Sequence, residues 1–321
     1  MKAVVCEKYG PPDVLRLVEV EKPLPRDNEV LIKVLAASVT LYDCWQRSST
    51  APPGFGLMSR LGSGFMRPNR PIFGNELAGE IEAVGDGVTR FKPGDPVYAF
   101  LPELGAHAEY VCLPEDGAIA IKPTNMSFDE AAAVPQAGLT ALYFLRKGEI
   151  QPGQKVLIFG ASGGVGSAAV QLARHMGAEV TGVCSTAKMD YVRSLGAQTV
   201  IDYTREDFTT NSQVYDVIFD TVGKSPVLRA HKSLSEGGAY IFATFGLPIL
   251  LQMLWVGWRT KKKMIMGLVE DKAEDLVYLK DLIEAGDYKV VIEQRFPMEQ
   301  AAEAHRLVES GKKIGSVVLT V

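Results

Sequence analysis

Apolar and polar residues alternate in two clear stretches of the first third of the chain, residues 29–35 and 77–84. Period-two alternation is the mark of half-buried strands. Turn signals separate such runs: Pro11-Pro12, Pro25 to Asn28, Gly85 to Gly87, and Pro93 to Pro96. Helical periodicity is scarce here, so residues 1–125 are expected to form a strongly bent sheet or partial barrel. Residues 48–70 carry scattered glycines, prolines and arginines without clear periodicity. They are expected to be a long loop, either covering a site or running over the surface.

The pattern changes near residue 127. Ser127 followed by Glu130 is a capping box that opens a helix. Beyond it, strands are expected over 155–160, 179–184, 198–201, 215–221, 239–244 and 263–268. Helices are expected over 164–176, 187–195, 225–234 and 272–286. Such alternation predicts an α/β, doubly wound parallel sheet with helices on both faces, here spanning 126–287. A strand at 289–292, a helix at 298–311 and a strand at 315–320 then return to the first domain, which 288–321 would complete.

The densest chemical signal is the turn after the strand at 155. Val156-Leu-Ile-Phe159 runs into Gly160-Ala161-Ser162-Gly163-Gly164-Val165-Gly166, and a helix starts inside the turn. Glycines let the main chain approach a ligand closely. A helix N-terminus offers free N–H groups and partial positive charge, which suits a pyrophosphate. With a second β-rich segment at the distance a βαβ unit requires, the turn reads as a dinucleotide-binding, Rossmann-type site. An NAD-preferring site places Asp or Glu at the end of the second strand. Here the run is Cys184-Ser185-Thr186-Ala187-Lys188, and the next acid is Asp190. Hydroxyls and an ammonium suit a 2′-phosphate, so NADPH is the expected cofactor. Capping of the next helix would account for the hydroxyls, though not for Lys188 or the missing acid.

Size and composition narrow the rest. A chain of 321 residues suggests two domains. A formal net charge of −4 gives no basic field for nucleic acid. The N-terminal residues read as a strand rather than a signal peptide. The four cysteines, at 6, 44, 112 and 184, form no CxxC pair, so a reducing cytoplasmic setting is expected. Residues 247–258 are strongly apolar and precede Arg259-Thr-Lys-Lys-Lys263. The run is short of the ~20 residues that span a bilayer. It is expected either to pack over a site or subunit contact, or to touch a membrane surface.

Together these motifs resemble the medium-chain dehydrogenase/reductase superfamily, in its zinc-independent quinone oxidoreductase branch. The resemblance covers essentially the whole chain. It rests on Ala37-Ser-Val39 with Asp43, Gly74-Asn-Glu-Leu-Ala-Gly79, Phe91-Lys-Pro-Gly-Asp95, Gly105-Ala-His-Ala-Glu-Tyr110, the run from Ala131 to Ala141, the glycine turn, Asp202-Tyr203, and the closing run to Val321. It implies a GroES-like partial barrel beside the Rossmann domain, and a homodimer through the latter. It also implies cofactor contacts from Thr140 at the nicotinamide end, Ser162 to Val165 at the pyrophosphate, Ser185, Lys188 and Tyr203 at the 2′-phosphate, and Val222 and Phe245 near the nicotinamide ribose and ring. Zinc members of the superfamily have Cys near Thr40 and His in a Gly-His-Glu motif that here reads Gly74-Asn75-Glu76. Neither Thr nor Asn is a good zinc ligand, so no metal is expected. Cys44 with His107 makes only a weak alternative pair.

The expected reaction is hydride transfer from NADPH to a quinone or an α,β-unsaturated carbonyl in the cleft between domains. A protein serving such acceptors supplies orientation rather than hard chemistry. Tyr42 and Asp43 are the catalytic candidates. Tyr42 is either a proton donor or a packed core residue, and Asp43 either an acid or a holder of local backbone. Trp45, Trp255 and Trp258 form either an apolar substrate wall or core. Reduction of an enone, alkenal or enoyl thioester is the alternative, with Arg60, Arg67 and Arg70 as a thioester's phosphate groove. A non-catalytic NADPH sensor or membrane-associated partner is a third reading.

Overall fold

The long strand Glu29–Val39 organises the first unit. It pairs antiparallel with Glu76–Val84, with Tyr110–Pro114 and with Ser316–Thr320. The computed structural model describes the chain from Met1 to Val321, the Ser59 side chain excepted. The seven-stranded sheet so formed is antiparallel except at its end, where Ile292–Pro297 runs parallel to Ser316–Thr320. Its alternating apolar residues, among them Val30, Ile32, Leu77 and Ile119, fill one core cluster. This unit comprises Met1–Ala51, Gly56–Gln136 and Asp271–Val321.

The second unit, Pro52–Phe55 with Ala137–Glu270, holds a six-stranded sheet. Its spatial order is Thr199–Asp202, Glu179–Cys184, Lys155–Phe159, Tyr215–Asp220, Leu234–Phe242, Lys263–Ile265. Every pairing is parallel. Val156, Leu157 and Ile158 are all buried, a continuous apolar run rather than an alternating one. That pattern fits a central strand covered on both faces. Helix Gly164–His175 buries Leu172 together with Ala168, Ala169 and Ala173, and the three alanines are small residues that let the helix lie close to the sheet.

Several expectations are corrected. The unit boundaries fall at 136/137 and 270/271 rather than 125/126 and 287/288. The reason is local: helix Ala273–Ala285 packs on strand Ile119–Ile121, and the Tyr98 hydroxyl donates to Leu276 O at 2.5 Å. Residues 48–70 contain a helix, Gly56–Ser63, whose Leu57, Met58 and Leu61 face solvent, so no buried stripe signalled it. Helix Leu41–Ser48 was hidden for the opposite reason, because the residues it buries include the charged Asp43 and Arg47. The strand expected at 289–292 lies at Ile292–Pro297, an edge strand whose exposed Glu293, Gln294 and Arg295 break any alternation. No helix among the described residues is long and apolar enough to cross a membrane.

Candidate functional site

In the second unit the cofactor candidates gather at one end of the sheet. Gly160, Ser185, Tyr203, Val222 and Phe245 each follow the carboxyl end of a strand, and those ends are in register: Phe159 lies beside Val183 and Asp220, and Asp202 beside Cys184. Strand order reverses on either side of Lys155–Phe159, and open parallel sheets bind ligands at that crevice.

The turn is built by its glycines. Gly160 has φ +84°, a left-handed conformation that side chains resist, and a Cβ there would sit 2.8 Å from Val222 Cγ1. A Cβ on Gly166 would overlap the Gly160 carbonyl. The Gly163 N–H donates to Gly160 O at 3.0 Å, closing the turn. Ser167 N is the first intrahelical donor, to Gly163 O at 2.8 Å. The amides of Gly164, Val165 and Gly166 therefore precede the helical ladder, and Gly163 supplies no side-chain cap. Three uncapped donors at a positive helix end form a cradle for an anionic diphosphate. Ser162 is half-buried at its rim. Ala137 lies on helix Pro135–Lys147, and a Cβ on Gly164 would sit 3.8 Å from its Cβ. Thr140, one turn on, shares that helix face.

After strand Glu179–Cys184, Ser185 takes the N-cap position of the short 3₁₀ turn Thr186–Lys188 without a side-chain cap bond. Capping therefore does not explain its hydroxyl. Tyr203 is exposed, and its N–H donates at 3.1 Å to the carbonyl of Cys184, the residue before Ser185. Two carboxylates have roles here that the sequence did not show, Asp202 having been named only as part of a family motif. Asp202, on the neighbouring strand, accepts from the Thr186 hydroxyl, from Thr204 N at 3.0 Å and from Thr204 Oγ1 at 2.7 Å. Arg205 lies 3.6 Å from the carboxylate, and these partners hold Asp202 below the usual carboxylate range, the Thr186 bond foremost. Its lone pairs are thus already engaged. Asp220, also missed, is fully buried and accepts from Val222 N, Gly223 N, Ser225 N and Ser225 Oγ. It folds the loop that carries Val222. Phe245 packs edge-on against Phe55, with ring centroids 6.3 Å apart.

The first unit carries the other candidates. Thr40 and Asp43 form a capping box at the start of helix Leu41–Ser48. Asp43 is fully buried; one oxygen accepts from Thr40 N at 2.8 Å and Thr40 Oγ1 at 2.6 Å, the other from Gly74 N at 3.0 Å. Of the two roles expected for Asp43, acid or holder of local backbone, these bonds are those of a holder of backbone. Tyr42 is 38% exposed, so it is not core; its hydroxyl accepts from Gln46 Nε2 at 2.6 Å. Desolvation raises its pKa, keeping the phenol protonated at neutral pH. Arg47 is buried and contacts Gly10 O, Glu309 and His305 Nδ1. Cys44 Sγ meets His305 Nδ1 at 3.4 Å rather than His107. His107 Nε2 donates to Ser38 O at 3.0 Å, the contact of a structural histidine. Of the three loop arginines, Arg70 pairs with Glu103 and Arg60 donates to Ser49 Oγ. Trp255 and Trp258 are exposed, so they are not core.

Glu76 is buried, and takes bonds from Ser38 Oγ and, at 2.7 Å, from Gln136 N. Burial pushes its carboxyl up to about 7, against those two hydrogen bonds. Between the ordinary carboxylate range and about pH 7, the folded chain keeps a proton that the unfolded chain has released. Its contribution is therefore fully present at low pH, is lost as pH rises through that window, and stays lost above it. The shift corresponds to roughly 3 kcal/mol. Glu76→Gln should flatten the decline in stability between the ordinary carboxylate range and about pH 7, as read by urea unfolding. An unaltered slope would count against this assignment.

Zinc does not fit the first unit's candidate positions. The Thr40 hydroxyl is committed to Asp43, Asn75 offers a neutral amide, and Glu76 binds Ser38 and Gln136. Neither thiolate nor imidazole stands among them. The uncapped amide cradle of the second unit does fit an anionic diphosphate.

Comparison with known proteins agrees with this geometry. Residues 26–123 match the family model of the alcohol dehydrogenase GroES-like domain, and residues 195–319 that of the zinc-binding dehydrogenase. A quinone oxidoreductase of Pseudomonas aeruginosa is 33% identical, with 99% of each chain covered. An NADPH-dependent alkenal/one oxidoreductase of Arabidopsis thaliana is also 33% identical, over 99% of this chain and 79% of the relative. The structure of the quinone oxidoreductase from Coxiella burnetii superposes with a TM-score of 0.89 at 32% identity, covering 100% of this chain and 99% of that one. The matches to both halves, the glycine cradle at the switch point and the parallel sheet converge: this chain belongs to the medium-chain dehydrogenase/reductase superfamily of pyridine-nucleotide-dependent oxidoreductases.

Proposed function

We propose that the protein is an NADPH-dependent reductase of quinones or conjugated alkenals and enones, working without zinc. The observation that carries the reading is the uncapped amide cradle of Gly164, Val165 and Gly166 at the carboxyl end of a parallel sheet. The names of the Pseudomonas and Arabidopsis relatives support the acceptor class, and the latter supports NADPH. When bound, the nicotinamide supplies the hydride. The chain's own residues bind and orient. The cradle and Ser162 hold the diphosphate, and Thr140, Val222 and Phe245 line the nicotinamide end. Ser185, Lys188 and Tyr203 receive the 2′-phosphate, with Asp202 already engaged by Thr186 and Thr204. Quinones and enones need no metal, because their own conjugated carbonyl makes a carbon electrophilic. Tyr42 donates the proton that accompanies the hydride, completing a two-electron reduction. Residues 52–55 and 137–270 act as the cofactor domain and the remainder as the substrate domain. The outer edge of Lys263–Ile265, which pairs on one side only, supports a homodimer through the cofactor domain. Four free cysteines support a reducing compartment such as the cytoplasm.

Steady-state oxidation of NADPH against a panel of quinones, alkenals and enones tests the reading; turnover with none of them, despite tight nucleotide binding, would overturn it. Selectivity offers a sharper check. Lys188→Glu should lower the ratio of kcat/KM for NADPH over NADH by about ten- to a hundredfold, the worth of a charge-assisted contact to phosphate. An unchanged ratio would remove Lys188 from the site.

A further inference from the structure

Helix Leu247–Arg259 serves the second unit with only one face. Met253 and Val256 are buried in the core beneath it. On the opposite side Leu251, Leu254, Trp255 and Trp258 are exposed by 59%, 60%, 48% and 82%. Steps of three, one and three residues place these four on one helical stripe. Single exposed apolar side chains are ordinary, whereas a contiguous stripe with two tryptophans marks a contact surface.

Charge identifies the partner. Residues 237–269 contain no Asp or Glu and four basic residues, Arg259, Lys261, Lys262 and Lys263. Two of these are occupied within the unit: Lys262 donates to the carbonyls of His231 and Leu234, and Lys263 pairs with Glu149 at 2.8 Å. Arg259 and Lys261 are exposed at the end of the stripe, with the Arg259 guanidinium 5.4 Å from the Trp255 ring centre. A second copy meeting this face about a two-fold axis would add the same two cations and, from residues 237–269, no carboxylate to pair with them. An anionic surface complements them. The helix has 13 residues, about 20 Å of length, too short to cross a bilayer and suited to lying in its plane. Tryptophan favours the headgroup level, where its ring is buried and its N–H stays wet.

We propose that the outward face of helix Leu247–Arg259 docks on an anionic lipid surface, with Leu251, Leu254, Trp255 and Trp258 set into the headgroup boundary and Arg259 and Lys261 against the lipid phosphates. The inference does not depend on the cofactor reading.

Co-sedimentation of the full chain with vesicles of phosphatidylcholine alone, or of phosphatidylcholine mixed with phosphatidylserine, tests it. Binding is expected to the mixed vesicles at low salt and to weaken as salt screens the cations. Leu254→Ser with Trp258→Ser should lower the partition coefficient by about tenfold or more, and Arg259→Gln with Lys261→Gln by about tenfold. Both pairs lie on the surface, and an unchanged melting temperature checks that each variant is folded. No pelleting with mixed vesicles, or pelleting that survives the Leu254/Trp258 pair, would overturn the proposal. So would a shift of the Leu254/Trp258 variant from dimer to monomer in sedimentation velocity, because a second copy would then be the occupant.

Discussion

Gly166→Val is expected to weaken pyridine-nucleotide binding on the order of a hundredfold and to lower the melting temperature at the same time. Gly166 stands in the first turn of helix Gly164–His175, where its α-carbon faces the Gly160 carbonyl. A Cβ there would overlap that oxygen and lie 2.9 Å from Ala161 Cα. These are backbone atoms, so no rotamer change relieves the clash and the helix start must move. Overpacking of this kind costs about 1–3 kcal/mol. In a domain of this size each kilocalorie lowers the melting temperature by about 2–4 °C. The displaced amides would no longer converge on one anion. Gly164→Ala is the contrasting case: its nearest neighbour would be Ala137 Cβ at 3.8 Å, an ordinary contact, and stability should hold. Fluorescence titration of NADPH with parallel thermal melts reads both effects. A Gly166→Val protein that bound nucleotide as the parent does would refute the cradle.

The second large effect concerns Asp43. Asp43→Ala removes the acceptor of Thr40 N, Thr40 Oγ1 and Gly74 N together, and Gly74 N is left without its buried partner. Hydrogen bonds to a charged group are worth about 1.5–3 kcal/mol each, and an orphaned buried donor costs about 1–3 kcal/mol. A loss of roughly 3–5 kcal/mol in urea unfolding is therefore expected, ahead of any effect on chemistry. Asp43→Asn keeps one acceptor oxygen and should lose less. If Asp43 were instead a proton donor, the alanine variant would unfold with the parent while turnover collapsed, and the two observations together would return it to the catalytic list.

The two units differed in how openly the sequence announced them. The cofactor sheet was legible because its signals are local: a buried apolar run, a glycine turn and a helix follow one another from Val156 to Arg174. Ser185, Val222 and Phe245 are likewise fixed by where strands end. What stayed hidden depends on neighbours remote in sequence. Asp202 reaches Thr186 only because strand Thr199–Asp202 lies beside Glu179–Cys184. Asp220 reads as one more acid until the loop wraps three backbone amides around it. Helix Leu41–Ser48 evaded periodicity because its buried face carries Asp43 and Arg47, whose partners Gly74, Gly10 and Glu309 lie far along the chain. The helix at Gly56–Ser63 evaded it because it buries almost no apolar surface. Patterning records burial, and it misleads where burial is polar or absent.

The proposed nucleotide binding rests on backbone geometry, which single side chains cannot imitate. The proposed proton donation by Tyr42 rests on one phenol that is exposed, kept protonated and bonded to Gln46. Tyr42→Phe keeps the ring and removes only the proton, and so isolates that step.

Calorimetric titration of the purified, nucleotide-free chain with NADPH and, separately, with NADH reaches the central claim most directly. Saturable heat at one nucleotide per chain, with tighter binding of the 2′-phosphorylated form, is the predicted result. An absence of heat with either nucleotide would contradict it.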